Sequence, residues 1–571
     1  MPYTNCKVHM EFIDASAIAD STASTEHGAA ITNMNLLKSQ QEYPMYAMLD
    51  LNKFVLDGSM PIMTEGIEVA FLSEQASDED CSFIDNPNVT IDFTTKHTSA
   101  GITLFFVGDY PEEIKVYWYD LSGQVLIAQS FYPSGLKSFC KKQVDNYGKL
   151  KIEFIKTRLP GQRIHCRYIK YGTEIDWQGE SVKTASLTEE MDVTSASIPI
   201  NTAEISIVDL ENDFELSNQD GVWKSVQKKQ EISIVEELVN QEVPCGTLYI
   251  DTWRSQGNIV TFSLIDRIGI MDKTIFYDGR MYNNEAAGVI IAEVMHSAGV
   301  EDYTVTDDAA AVLLSGYIPI CSHREALQQI MFACGAVADC SRTGGINIFM
   351  PSRYANSVIG TDRKFRGTTI EIDKYVSGIS ISYKRYTLKD EEVEIFNDIL
   401  PEGVSVIEFS EPYSNVSATA GEILAASTNY IKINMAEQGN CIVYGQKYES
   451  KDIVYTENVD MLDAGEEKNI ISYSGCTLFD NERVKEVAKK LLKHYQLRQI
   501  VKMRYLLESE KAGDWVNVMD TSKNMVTSGI TSQTIDLTGG FIAEATCRGY
   551  SKSTTNYVYA GEICAGERGM F

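Results

Sequence analysis

Positive charge is what this sequence has least of. Fifty lysines and arginines stand against 80 aspartates and glutamates, a formal charge of −30 over 571 residues. A surface that grips nucleic acid needs a basic footprint, so the balance argues against specific nucleic-acid binding. An acidic wall beside a DNA path remains compatible with it, because repulsion keeps a passing polyanion from sticking. The twelve cysteines are scattered, with no CxxC and no neighbouring histidine pair. That spacing lacks the close ligand pairs of a zinc site and the density of a secreted disulfide framework, so free thiols in a reducing compartment are expected. No window approaches 18 uninterrupted apolar residues, and MPYTNCKVHMEFIDAS lacks the basic start and apolar core of a signal peptide.

Catalytic signatures are missing as well. There is no Walker loop, GxGxxG, HExxH, GxSxG or EF-hand loop. The seven histidines (His9, His27, His97, His165, His296, His323, His494) never fall two within five residues. The acids of FSEP (Phe409–Pro412) and DAGEE (Asp463–Glu467) lie in polar turns, with no apolar setting to raise a carboxyl pKa. Asp78-Glu79-Asp80 lacks the alternating oxygen ligands of a calcium loop and reads as a turn. No residue is therefore assigned a catalytic, cofactor-binding or metal-binding role, and no cofactor is expected.

What is present is β-sequence around a mid-chain αβ unit, with length enough for three or four cores. TFSLIDRIGIMD opens that unit, and a helix follows in which Ala287, Ile290, Ile291, Val294 and Met295 share one face. A second helix has Ser322 as N-cap, Glu325 completing a capping box and Gly335 at the left-handed C-terminal position; INIFMPS then reads as a strand. Residues 67–172 carry short strands separated by turns at sandwich-like intervals (GITLFFVG, EIKVYWYD, KLKIEFIKT). In EIKVYWYD, alternation puts Trp118 on one face and Tyr117 and Tyr119 on the other, so an aromatic platform for a sugar competes with simple core packing. ISIVEEL (Ile232–Leu238) reads as a strand with an exposable edge. DNERVKEVAKKLLKHYQLRQ (Asp480–Gln499) is the clearest helix. Val484, Val487, Ala488, Leu491, Leu492 and Tyr495 form its apolar face, and Lys489, Lys490, Lys493 and Arg498 make the one basic patch. A solvated helix face accounts for that patch more simply than nucleic acid or an acidic partner, and His494 reads as surface.

DRIGIMDKTIFYDG, REALQQIMFACGAVADCSRTGGINIFMPS, GDWVNVMD and GITSQTIDLTGGFIAEATCRGY resemble the central hub proteins of bacteriophage tail tips and baseplates, over roughly residues 175–571. Residues 67–172 resemble discoidin or galactose-binding jelly rolls. The expected fold is mainly β with α+β parts: two small barrel-like hub domains, a mid-chain αβ unit and a jelly-roll-like sandwich. The expected division is 1–66 (a leader belonging to the first barrel), 67–172 (sandwich), 173–282 (first barrel), 283–351 (αβ unit), 352–479 (β-rich hub domain) and 480–571 (helix plus second barrel). The resemblance implies a structural virion protein, not an enzyme, made in the host cytoplasm and carried at the tail tip. Its implied partners are two further copies in a homotrimer, the tail tube or distal tail protein, the tape-measure protein, and spike or fibre proteins. Many proteins of this kind append a lysin domain after the hub, and this sequence is expected to lack one. The alternatives are an adhesin that uses 67–172 to bind a cell-surface glycan, and a cell-wall hydrolase.

Overall fold

A computed structural model describes residues 4–39, 57, 58, 60, 66–218, 221–226, 229–238, 241–462, 465–519 and 525–551. The strand-like run YAMLDLNKFVLDG (46–58) and the tail from 553 lie outside the described residues, apart from 57 and 58. The chain is mainly β with α+β parts.

A 13-stranded sheet forms the body. Its path runs Thr369–Ile372, Gln499–Leu506, Ile542–Ser551, Met525–Asp536, Val182–Glu190, Thr202–Val208, Ile259–Ile265, Gln241–Gln256, Glu231–Leu238, Thr4–Ile13 and Gly172–Gln178. Trp515–Met519 branches from Met525–Asp536 and carries Ala355–Ile359. The expected pair of barrels is thus present as two halves of one open sheet, with neither half closed. They meet where Val182–Glu190 pairs with Met525–Asp536, in the register Leu187↔Ile535 and Glu189↔Gln533. A single apolar core continues across that seam, from Val8, Ile234 and Phe262 to Tyr505, Val516 and Ile535. Glu231–Leu238 is not an edge. It is flanked by Thr4–Ile13 and Gln241–Gln256, because the amino-terminal strand, distant in sequence, closes over it.

The sandwich leaves and re-enters this sheet at one point. Ile13 pairs with Gly172, and the Asp14 N–H donates to the Tyr171 carbonyl at 2.9 Å. Gly172 has φ +130°, and a Cβ there would lie 1.9 Å from the Phe12 carbonyl oxygen, so only glycine fits. Between these points seven strands form one hydrogen-bonded sheet. Its two long members, Asn88–Phe106 and Lys137–Thr157, shift register between Asp92 and Gly101, so their halves can face each other over a shared core. Phe71 stacks on Phe154 across that core at 5.4 Å. Trp118 is fully buried, while Tyr117 and Tyr119 stack on the opposite face at 6.3 Å, as strand alternation requires.

The αβ unit forms as its local signals dictate. Ser322 and Glu325 make the reciprocal capping box, Gly335 ends helix His323–Cys334 at φ 64°, and the five face residues of helix Ala287–Ser297 are buried. Asp480 accepts from the backbone N–H of Glu482 and Arg483, starting helix Arg483–Tyr495. That helix places Val484, Val487, Ala488 and Leu491 in the core of the αβ unit. No helix among the described residues is long and apolar enough to cross a membrane. All eleven described cysteines are free, nine of them buried.

Gly378–Leu400 and Gly439–Asn458 pair as a long ribbon ending in a small head, the sheet Gly403–Glu408, Tyr430–Met435, Glu422–Ala426. The head is tied back to the αβ unit by Asn429. Its buried amide donates to the carbonyls of Tyr277 (3.1 Å), Gly279 (3.0 Å) and Ile318 (3.2 Å), and its oxygen accepts from the Tyr317 hydroxyl. Asn429→Ala strands these buried groups and is expected to cost about 1–3 kcal/mol. Hydrogen exchange should show faster amides across 403–443, with the helix His323–Cys334 unchanged.

Candidate functional site

Three polar constellations stand out against the apolar cores. The first lies on the seam. In Val182–Glu190 the buried positions alternate Ala185, Leu187, Glu189, which puts a carboxylate on the core side with 0% exposure. Glu189 accepts from Arg342 Nε at 2.8 Å and Nη2 at 3.4 Å, and from Gln533 Nε2 at 2.7 Å. Arg342 Nη2 also donates to the Glu510 carbonyl at 2.6 Å, and Tyr505 donates to Gln533 Oε1 at 2.9 Å. The Glu510 carboxylate, also buried, takes Arg363 Nη2 at 2.8–2.9 Å. Burial works to raise the Glu510 carboxyl, but backbone N–H groups and Arg363 outweigh it and hold it below the ordinary range. One network thus joins both sheet halves to the αβ unit. Nothing in the chemistry of SLTEEMD marks it; only the alternation in the strand could have found Glu189.

The second constellation joins the sheet to the sandwich. His97 is bonded through Nδ1 to Asp14 (2.8 Å) and through Nε2 to Asp20 (2.9 Å), and is almost fully buried. Both ring nitrogens can donate only in the imidazolium form. Burial opposes that charge, yet the bonds to Asp20 and Asp14 prevail and hold His97 above the ordinary histidine range. A neighbouring cluster holds His9, Glu11 and Glu174 close enough to share a cation. There Lys170 bonds both Glu11 (2.8 Å) and Glu174, and Lys137 lies 2.6 Å from Glu174. These ammonium groups take the carboxylate oxygens a metal would use, so the donor set does not fit one.

The third is a cavity of about 280 Å³ between helix Arg483–Tyr495, the exit of the αβ unit and the second half-sheet. Arg353, Lys490, Lys493, His494 and Arg548 line it above a floor that includes Trp515 and Ile530, and no acid lines it. Lys490 and Lys493 of the expected basic patch therefore face a concavity, whereas Arg498 is paired with Glu466 at 2.6 Å. His494 is not a surface residue. It is half-buried on the flank of the helix that closes the cavity, and burial, with Arg548 and Arg353 adding to it, pushes its pKa down to about 4.

The other singled-out residues are not brought together. Asp78 closes a turn, accepting from the backbone N–H of Asp80 and Ser82. Glu411 pairs with Lys447 and Glu466 with Arg498, in separate parts of the ribbon domain. On the sandwich, Tyr132 is 71% exposed, and Tyr117 stacks on Tyr119.

No family model and no curated protein matches the chain. Among solved structures it is similar to the 43 kDa tail protein of prophage MuSo2 from Shewanella oneidensis, at 11% identity over 65% of this chain and 95% of that one, TM-score 0.39. It is also similar to a tail protein from Neisseria meningitidis MC58 (10%, 66% and 93%, TM-score 0.40). A third is prophage tail protein gp18 from Listeria monocytogenes EGD-e (9%, 66% and 92%, TM-score 0.36). At these scores the likenesses carry no residue-by-residue correspondence.

Two outcomes follow from this geometry. Glu189→Ala leaves Arg342 charged and unpaired in the core and should cost about 3–5 kcal/mol. Glu189→Gln should cost less, and denaturant midpoints compare the two. For the His97 cluster with Asp14 and Asp20, the raised pKa of His97 means its contribution is complete below about pH 6.5 and fades as pH rises through the folded value. The lowered pKa values of Asp14 and Asp20 mean theirs is complete above about pH 4 and fades as pH falls. Thermal scans across pH should show the sandwich transition dropping on the alkaline side, and His97→Gln should flatten that limb.

Proposed function

We propose that this chain is a structural hub of a phage tail tip or baseplate, assembled in the host cytoplasm and carried in the virion. The observation that carries the reading is the body sheet: two half-sheets from distant parts of the chain, joined edge to edge and left open. At its far end Thr369–Ile372 pairs on one side only among the described residues, and Ile372 is 73% exposed. An apolar edge of that kind needs a partner strand or a cover, and a closed ring of copies supplies one. In a homotrimer, two half-sheets per chain place six similar units around one axis, which adapts a six-fold tube to three-fold symmetry. The segments resembling hub proteins, DRIGIMDKTIFYDG to GITSQTIDLTGGFIAEATCRGY, support the same reading. So does the charge of −30, suited to a passage that DNA crosses without binding.

In this role one face of the ring meets the tail tube or distal tail protein and the end of the tape-measure protein, and the other anchors a spike or fibre. The mechanism is mechanical: the ring closes the tube and opens a path at infection. It requires no catalytic residue, cofactor or metal. A second reading, a glycan-binding adhesin, is favoured only by exposed Tyr132 and the Tyr117–Tyr119 stack on the sandwich. It requires a monomer whose glycan affinity disappears when 67–172 are deleted.

Light scattering should give a particle near three times 63.7 kDa. Ile372→Lys should shift it to monomer without lowering the melting temperature of the monomer. A chain that stays monomeric at all concentrations, alone and with a tail-ring protein, would sink the ring.

A further inference from the structure

The cavity under helix Arg483–Tyr495 gathers positive charge: Arg353, Lys490, Lys493 and Arg548 line it and no acid does. Several of the most buried cations of this acidic chain sit on carboxylates: Arg342 on Glu189, Arg363 on Glu510, Lys170 on Glu11 and Glu174. Here three cations face one concavity, and none has a carboxylate within ion-pair distance among the described residues. Arg353 and Lys493 form no ion pair, and Lys490 reaches only the Met350 sulfur, at 3.9 Å, beside the carboxyl end of helix His323–Cys334. Arg548 is committed to Asp373 and to the Leu497 carbonyl. Asp192, the acid whose charge His494 senses, is engaged within its own loop by Thr194 and Ser197.

The lining includes the aromatic Trp515, packed against Gly529, and the apolar Ile530; a Cβ on Gly529 would lie 3.0 Å from the indole nitrogen. A cationic rim over an aromatic floor selects a ligand that is anionic at one end and planar and apolar at the other. Three uncommitted cations exceed what one carboxylate neutralises and match a phosphate monoester, which carries −1.5 to −2 at neutral pH. A volume of about 280 Å³ admits one ring system and its phosphate. We propose that this cavity binds a small phosphate monoester on a planar apolar body, of the size of a nucleoside monophosphate. Bound there, the ligand bridges the core of the αβ unit and the second half-sheet. The assignment does not depend on the hub reading, and the overall negative charge disfavours a polyanion at the same place.

The test is calorimetric titration of the full chain with adenosine monophosphate, with adenosine and inorganic phosphate as separate arms. Adenosine monophosphate should bind, each fragment alone should bind at least tenfold more weakly, and 0.5 M salt should weaken the complex. The double variant Arg353→Ala, Lys493→Ala should lose at least tenfold while melting at the same temperature, since both side chains are exposed. Imidazole NMR should show His494 titrating at higher pH in the complex. No binding up to millimolar concentration, or binding unaltered in the double variant, overturns the proposal. A single-stranded oligonucleotide bound more tightly than the mononucleotide, with steeper salt dependence, also overturns it in favour of nucleic-acid binding.

Discussion

The contact on which the body of this protein depends is the buried ion pair of Glu189 with Arg342. Two charges taken out of water are tolerated only while each keeps its partner and the remaining lone pairs are satisfied, here by Gln533 and the Glu510 carbonyl. Those four residues come from the first half-sheet, the αβ unit and the second half-sheet. The pair therefore does more than hold two strands together. A one-residue slip at the seam would turn Glu189 away from the core and leave Arg342 charged and alone in it, so the electrostatics enforce one register where apolar alternation would enforce it less strongly. An aliphatic seam of the same volume would be as stable, or more so, and less particular.

The same economy governs the excess of acid. Cations are few, and some of the buried and half-buried ones sit at joints: Lys170 between sandwich and sheet, Arg363 at the entry to the second half-sheet, Arg483 on the carbonyls of Ala333 and Cys334 at a helix end. Charge repulsion across the surface is thus offset by attraction at the places where separate cores meet. At the rim of the cavity, cations are gathered and no acid is among the lining residues.

How much of this was legible in the sequence depends on range. Helix boundaries were legible because caps act within four residues: Ser322, Glu325, Gly335 and Asp480 perform the roles their spacing implies. Facial burial was legible from period, as Trp118 and the Ala287–Met295 face show. The edge assigned to Ile232–Leu238 failed because its second neighbour is Thr4–Ile13, more than 200 residues away in sequence, and no local pattern announces such a partner. That the two barrel-like parts share one open sheet was hidden for the same reason, since the seam pairs residues near 187 with residues near 535. His494 was misplaced because lysines on the same helix suggested solvent, while the surface that buries it comes from the αβ exit and the far half-sheet. Of the seam network, alternation hinted at Glu189 alone. The basic cavity was legible only as a row of lysines, without the floor that makes it concave.

The crossing point at Ile13 and Gly172 has a consequence for how this chain can change. Two strands that pair directly are joined by a loop that happens to be an entire domain, so residues 14–171 occupy the position of a hairpin turn. A short turn could join the same two strands, and any domain whose ends lie close together could stand in its place, with the strand pairing of the body sheet kept and contacts such as those of Lys137, Lys141 and Lys170 to it lost. The pairing of Thr4–Ile13 with Gly172–Gln178 must also wait for the inserted domain to be synthesised, a long closure that a compact, already folded insert shortens. The architecture is that of a socket: the body keeps its register while the module plugged into it is free to be exchanged.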